Sequence, residues 1–433
     1  MRLVSPRPLG HSAAVRTWAH GATDVGRQRQ LNEDHFLVDD ELGLYLVCDG
    51  MGGHAAGDVA SRMAAETVRE HVRARRDLIE AARAGKRSHD EAAAMMRDAI
   101  QAASARVHQM GVDDPSRKGM GTTCTALLVL GGKGVMGHVG DSRLYLQRQG
   151  RVYQLSEDHT FVQEAVRRGM LTPEQAKDNP HQNLVTRAVG PNPSVLVDSL
   201  VFDVLPGDAL LLCSDGLHGY FHDGAELGPV LGLESLEQVT SGLIATANER
   251  GGEDNITTVV LRLSSEPPQA NDEARRASRV TAELEALGHI VLFSELGMKE
   301  LLEVANAFEH REYRTDEVVV HEGDVSETLF VIVTGAAKVT RNGTDIALLR
   351  SGQHFGEMAL LSRRPRSATV RTLKDCTMLT LSRDRFYEIM SGDSVIAAKF
   401  LWRLAQTLSL RLDDVYLLQE KLGAEAETRD TVQ

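Results

Sequence analysis

The chain is poor in cysteine, and its Cys48, Cys124, Cys213 and Cys376 are too widely spaced to make a CxxC pair. The expectation is buried thiols in a reducing cytoplasm. No apolar run approaches the roughly 18 residues that span a bilayer, so no membrane partner is expected. Pro6 stands where a secretory signal would carry its apolar stretch, which argues against one in Met1–Pro6. Basic residues are in deficit: 48 Lys and Arg against 61 Asp and Glu leave a net charge of −13. That argues against a protein working mainly on a nucleic-acid backbone, which needs a positive surface, and leaves room for one local basic pocket. There is no internal repeat. What remains is a chain of 433 residues, 42% hydrophobic and 25% charged, the composition of a core-forming protein with about two to three domains.

From Arg16 to about Leu263 short β-like runs mix with helical stretches. Expected strands are Leu44–Cys48, Thr123–Leu130, Val135–Val139, Leu144–Gln147, Leu210–Cys213 and Ile256–Leu263, all aliphatic or β-branched and mostly bounded by Gly or Asp. Between the first two lies Ala55–Met110, with apolar spacing suited to helices and a break at Ala84-Gly85-Lys86. The pattern is α+β with layered sheets. Residues 264–285, with Pro267-Pro268 and little apolar content, read as a linker, and a short helical segment is expected over about Arg279–Glu309. From Tyr313 to Leu381 alternating runs separated by glycines 323, 335, 343 and 352 predict a small all-β barrel or jelly roll. The tail, Ser394–Gly423, reads as one helix. Its apolar residues Ala397, Leu401, Leu404, Leu408, Val415, Leu418 and Leu422 recur in a heptad-like pattern interrupted at Arg411. Such a face either packs on its own domain or makes a homodimer through residues 406–425.

Aspartates stand out in the first region. Asp49 and Asp215 each follow an apolar run and precede glycine, and Asp141 follows His138-Val139-Gly140. One Asp-Gly is a turn signal. Several carboxylates at the strand ends of one domain can instead converge on one rim, where they repel and raise each other's pKa. A hard divalent cation, Mg²⁺ or Mn²⁺, resolves that conflict with oxygen ligands. The full set runs Asp24-Val25-Gly26-Arg27-Gln28-Arg29-Gln30-Leu31-Asn32-Glu33-Asp34, then Asp49-Gly50-Met51-Gly52-Gly53-His54, Gly140-Asp141-Ser142-Arg143, Ser214-Asp215-Gly216 and Glu253-Asp254-Asn255.

In this order the motifs resemble the metal-dependent serine/threonine phosphatases of type 2C, over about residues 16–263. The resemblance implies a β-sandwich flanked by helix pairs with a two-metal centre in its cleft. Asp49 would bridge both cations, the Gly50 carbonyl would bind one, and Asp215 and Asp254 would hold the other. Glu33 and Asp34 would serve the site directly or through water. Asp141 would share a third, weaker cation with Asp215. Arg29 would pair with the substrate phosphate, and Asn255 would support the ligands. It further implies hydrolysis by a metal-activated water, without a covalent enzyme intermediate. Two absences agree: no cysteine is followed six residues later by arginine, and there is no GxxxxGK[ST] loop. One departure is Met51, where eukaryotic members carry a histidine proposed as general acid; His54 is a weaker candidate for that role. By the same resemblance the middle of Ser156–Gly190 is a mobile flap, with His159 and Arg187 expected to make simple structural pairs.

Near the C-terminus, Phe355-Gly356-Glu357-Met358-Ala359-Leu360-Leu361-Ser362-Arg363-Arg364-Pro365-Arg366-Ser367-Ala368-Thr369 combines a free backbone at Gly356, a short helix opening at Ala359 and Leu360, and an arginine after proline. Taken alone it is either a basic surface loop or an anion cradle. The whole string, with Glu322-Gly323-Asp324 upstream, resembles the phosphate-binding cassette of cyclic nucleotide-binding domains, over about residues 286–405. That resemblance implies Arg366 and Ser367 on the cyclic phosphate, Glu357 on the ribose 2′-hydroxyl, and Gly356, Ala359 and Leu360 completing the cradle, with cyclic AMP or cyclic GMP as ligand. No helix-turn-helix follows. The expectation is a cytoplasmic phosphatase acting on phosphorylated proteins and regulated by a cyclic nucleotide. The rival expectations are a catalytically weak phosphatase-like adaptor and a phosphatase whose second domain is a ligand-free docking module.

Overall fold

The computed structural model describes residues 15–52, 56–177, 179–221, 224–265, 270–407 and 409. The chain forms two compact units, up to Ser278 and from Arg279 onward.

The first unit contains two five-stranded antiparallel sheets. One runs in the order Val15–Asp24, Ile256–Ser265, Ala209–Cys213, Arg143–Arg148, Arg151–Gln154. The other runs Asp198–Asp203, Lys133–Val139, Cys124–Leu130, Leu44–Cys48, His35–Asp39. Leu44–Cys48, Cys124–Leu130 and Ala209–Cys213 are buried at every position and mostly apolar, because both of their faces are covered. Leu44, Leu46 and Cys48 join the core under the helices Ala56–Arg73 and His89–Asp113, whereas Tyr45 and Val47 are buried on the opposite face. Leu211 and Cys213 likewise face a core with the helix Leu236–Glu249, and Leu210 and Leu212 are buried on the far side. The Ala55–Met110 stretch holds a third helix, Arg76–Arg83, so the chain breaks before Arg76 as well as at Ala84.

This alternation places the acids. Asp49 immediately follows Leu44–Cys48, Asp141 lies just past Lys133–Val139, and Asp215 opens a single helical turn, Asp215–His218, beyond Ala209–Cys213. Asp34 and Asp254 lie just ahead of His35–Asp39 and Ile256–Ser265.

The expected linker is largely helical: Ala270–Gly288 is one helix. Its Ala-rich composition favours a helix despite the low apolar content. Arg276 fixes it by hydrogen bonding to Asp203 at 2.9 Å and pairing with buried Glu273 at 3.1 Å. The expected helical segment after Arg279 is correspondingly divided. That helix ends at Gly288, a 3₁₀ turn spans Val291–Phe293, a helix spans Met298–Ala305, and Glu309 already starts a strand.

The second unit is a β-roll of two four-stranded antiparallel sheets. One runs Glu309–Tyr313, Cys376–Ser382, Thr328–Thr334, His354–Phe355; the other runs Val318–Val320, Thr369–Thr372, Ala336–Arg341, Thr344–Arg350. Val320, Phe330, Ile332, Ala337, Val370 and Met378 fill the space between them.

Residues 394–407 are helical. The face turned to the domain is Ile396, Phe400 and Leu404, at steps of four, with Phe400 packed on Phe386 at 4.8 Å. Leu404 of the expected heptad stripe therefore packs within its own domain, whereas Leu401 is 56% exposed. Leu408, Val415, Leu418 and Leu422, and residues 410–425 of the expected self-association segment, lie outside the described residues. So does His54.

Candidate active site and nucleotide cassette

The loop between Val15–Asp24 and His35–Asp39 is fixed by backbone contacts. Gly26 has φ +82°, and a Cβ there would stand 2.2 Å from the Asp254 carbonyl oxygen. Arg27 N–H donates to the Gly252 carbonyl at 2.7 Å. Asn255 then ties both ends together. Its amide donates to the carbonyls of Val25 at 3.0 Å and Leu31 at 2.9 Å, and its carbonyl accepts from Glu33 N–H at 2.8 Å. Held this way, the loop projects Arg29, whose Nη2 donates to Asp254 Oδ2 at 2.6 Å. Burial lowers the Arg29 pKa, but Asp254, Asp215 and Glu33 outweigh it and raise it.

Five acids converge. Burial, reinforced by Asp215 and Asp254 and opposed by the hydroxyls of Thr257 and Ser214, pushes Asp34 up to about 7. Ser214 Oγ–H donates to Asp34 at 2.7 Å. Asp49 is raised by burial, then by Asp34, Asp215 and Asp141, with which it shares the rim. Its backbone is pinned between strands, Asp49 N–H donating to Thr123 Oγ1 at 2.8 Å and Thr123 N–H donating to the Asp49 carbonyl at 2.8 Å. Burial and Asp215 push Asp141 up to about 8. Asp215 is raised by burial and then by Asp254, and its buried Oδ1 has no hydrogen-bond partner.

Glu33 takes a different position. Its carboxylate accepts from Gly57 N–H at 3.1 Å, in the first turn of Ala56–Arg73. Gly50 is crowded by the same elements, since a Cβ there would lie 2.3 Å from the Gly57 carbonyl oxygen and 2.4 Å from that of Glu33. Among the described residues no three His, Cys, Asp or Glu side chains form a group set to hold a metal ion as they stand. The donor set nevertheless fits one: mutually repelling buried carboxylates, and an orphaned Asp215 oxygen among them, are what a hard cation relieves.

Residues beyond the recognised acids complete the site. Ser214 and Thr123 hold Asp34 and Asp49, and His218 donates from Nε2 to the Asp141 carbonyl at 2.9 Å. Ser214 stood within a motif already singled out. His218 and Thr123 carried no signal of their own, because their role depends on partners far away in sequence. His159 and Arg187 make the structural pairs expected of them, both on Asp198, at 3.3 and 2.7 Å.

In the second unit Gly356 has φ +85°, and a Cβ there would meet Arg366 Nη1 at 2.3 Å. Arg366 is buried against the sheet. Its Nη2 donates to Ser326 Oγ at 2.8 Å and the Thr328 carbonyl at 2.6 Å, while its buried Nε has no hydrogen-bond partner. Burial lowers its pKa, with Glu357 and Asp324 opposing. The Glu322-Gly323-Asp324 turn is bonded to it, Gly323 N–H donating to the Arg366 carbonyl at 2.8 Å and Arg366 N–H to the Asp324 carbonyl at 2.9 Å. The short helix begins at Met358, and Ala359 and Leu360 are buried within it. Ser367 is exposed. Glu357 borders a cavity of about 100 Å³ with Val291, His354, Met358, Leu404 and Thr407.

The profile of the family described as Protein phosphatase 2C matches residues 24–258, more than half of the chain. The chain belongs to the protein phosphatase 2C family. The profile described as Cyclic nucleotide-binding domain matches residues 310–393. The phosphatase is 36% identical over 243 residues to a serine/threonine phosphatase stp of Listeria welshimeri, covering 55% of this chain and 93% of that protein. It is 32% identical over 249 residues to the protein phosphatase PhpP of Streptococcus pneumoniae, covering 56% and 96%. Among solved structures it is similar to the Mycobacterium tuberculosis serine/threonine phosphatase PstP/Ppp, with TM-score 0.51 and 33% identity over 57% of this chain and 99% of that one. A PstP catalytic domain in complex with two manganese ions matches with TM-score 0.50 and 31% identity, covering 58% and 100%. The protein is thus a serine/threonine phosphatase carrying a cyclic nucleotide-binding domain.

Proposed function

We propose that the phosphatase hydrolyses phosphoserine and phosphothreonine in proteins at the rim formed by Asp34, Asp49, Asp141, Asp215 and Asp254, and that a cyclic nucleotide bound near Arg366 regulates it. The observation that supports the first half most is the convergence of these acids, each raised by burial or held by a fixed donor. Mn²⁺ or Mg²⁺ would be held by Asp49, the Gly50 carbonyl, Asp215 and Asp254, with Glu33 and Asp34 directly or through water, and a weaker cation by Asp141 and Asp215. Bound there, the cations supply a nucleophilic water at neutral pH.

The chain's own residues do the rest. Asn255 keeps the Arg29 loop in place, so the guanidinium stands beside the acids. Asp254 accepts from one Nη2, and a guanidinium has five N–H donors, so others are available for phosphate oxygens. Asp49, pinned by Thr123 on both its N–H and its carbonyl, holds its carboxylate at a fixed point of the rim. Four free, buried cysteines fit a cytoplasmic setting. Among the described residues no helix is long and apolar enough to cross a membrane.

The second half rests on Arg366, a buried arginine with an unpaired Nε beside a glycine that admits no side chain. That arrangement suits a cyclic phosphate. Fluorescence titration of the full chain with labelled cyclic AMP and cyclic GMP tests it: saturable binding, weakened about tenfold or more in Arg366→Gln, supports the reading, and no binding of either nucleotide contradicts it.

A further inference from the structure

His218 is not one of the acids, yet it joins two of the loops that carry them. It ends the single turn Asp215–His218, which is closed by His218 N–H donating to the Ser214 carbonyl at 3.3 Å and Gly219 N–H to the Asp215 carbonyl at 2.9 Å. From there its Nε2 reaches the Asp141 carbonyl at 2.9 Å. A carbonyl only accepts, so the imidazole carries its proton on Nε2.

The Asp141 loop is held at several points, among them Ser142, whose Oγ meets Thr123 Oγ1 at 2.7 Å and whose carbonyl accepts from Thr125 Oγ1 at 2.9 Å. It leaves its strand through Gly140, at φ +110°. On one side it is clamped by His159, whose N–H donates to the Gly140 carbonyl at 2.8 Å and whose Nδ1 accepts from Gly140 N–H at 3.1 Å. His218 fastens the next residue to the turn that carries Asp215.

We infer that His218 is a positioning residue that sets the spacing of Asp141 and Asp215 and thereby the affinity of the weaker cation they share. The inference rests on the reading of Asp141 and Asp215 as ligands of one cation. A partner of this kind orients a ligand without touching the metal.

The test is Mn²⁺ titration calorimetry on the full-length protein, with His218→Gln, His218→Asn, His218→Ala and Asp141→Ala beside the wild type, each first checked by thermal unfolding without metal. Glutamine places an amide N–H where Nε2 stands; asparagine places it one position short. The expected result is a weak Mn²⁺ event absent in Asp141→Ala, near wild-type affinity in His218→Gln, and weakened about tenfold or more in His218→Asn and His218→Ala. The tighter events should be unchanged in all three His218 variants. If Asp141→Ala loses the weak event and every folded His218 variant keeps it at wild-type affinity, His218 does not position the ligands. If the weak event survives in Asp141→Ala, or is missing from the wild type, the ligand reading itself fails and the inference with it.

Discussion

Arg29 donates to Asp254 at 2.6 Å, so the side chain proposed to meet the substrate phosphate is held by one proposed to hold a cation. The pair lies at the rim, half exposed at Arg29, and its weight is in placement rather than stability. Replacing Arg29 by Ala removes the planar donor fork. With a phosphopeptide substrate, kcat/KM should fall about tenfold to a hundredfold, the scale of a lost charged hydrogen bond of about 1.5–3 kcal/mol. Arg29→Lys should recover little, because an ammonium is a point charge without the fork. Wild-type kinetics in Arg29→Lys would contradict the assigned role.

Metal binding should depend on pH with a definite sign. Asp34 and Asp141 titrate near 7 and 8 in the folded metal-free chain, against an ordinary 3.8, with burial the largest cause in both. Folded carboxyls thus keep protons that unfolded ones have lost. The stability they lend is complete below 3.8 and disappears as pH rises through 7 and 8. Cations require the deprotonated form, so Mn²⁺ should release protons and raise Tm more at about pH 8 than at about pH 6. Asp34→Asn with Asp141→Asn should flatten that dependence in thermal unfolding scans. A Mn²⁺ effect larger at the lower pH would refute the assignment.

Asn255 serves three backbone partners at once. Asn255→Ala leaves Glu33 N–H and the Val25 and Leu31 carbonyls without it, which should lower stability by about 1–3 kcal/mol. Because the freed loop carries Arg29, KM for a phosphopeptide should rise as well. Urea unfolding and steady-state kinetics read the two effects separately; a stability loss with unchanged KM would mean the clamp does not orient Arg29.

In the second unit, Arg366→Gln should weaken cyclic nucleotide binding about tenfold or more, as for a lost charged hydrogen bond. Gly356→Ala should do so too, because the new Cβ meets Arg366 Nη1 and the Thr328 carbonyl at a positive φ. In both variants turnover without nucleotide should stay at the wild-type level. Undiminished binding in Arg366→Gln would place the ligand elsewhere.

Much of this organisation was legible in the residues. Leu44–Cys48 and the start of Ile256–Ser265 fall where their apolar runs predict, because strands buried on both faces need no alternation to be seen. Val15–Asp24 was not legible: Trp18, His20 and Gly21 break its pattern, and it forms through ten paired positions with Ile256–Ser265. The helix Ala270–Gly288 was hidden by two prolines just before it and by the polar composition of its first half, which is held through Arg276, while Val280, Leu284 and Leu287 are buried in its second half. The acids announced themselves through Asp-Gly motifs at strand ends. Their supports did not, since the bonds of His218 to Asp141 and Thr123 to Asp49 span 77 and 74 residues.

The most direct test is Mn²⁺-dependent hydrolysis of a phosphothreonine peptide by the full chain, with and without saturating cyclic AMP or cyclic GMP, beside Asp49→Ala and Arg366→Gln. Turnover that requires Mn²⁺, vanishes in Asp49→Ala, and shifts with one nucleotide in the wild type but not in Arg366→Gln is the result predicted here. Turnover that persists in Asp49→Ala, or that neither nucleotide alters, would contradict a metal-dependent phosphatase under cyclic nucleotide control.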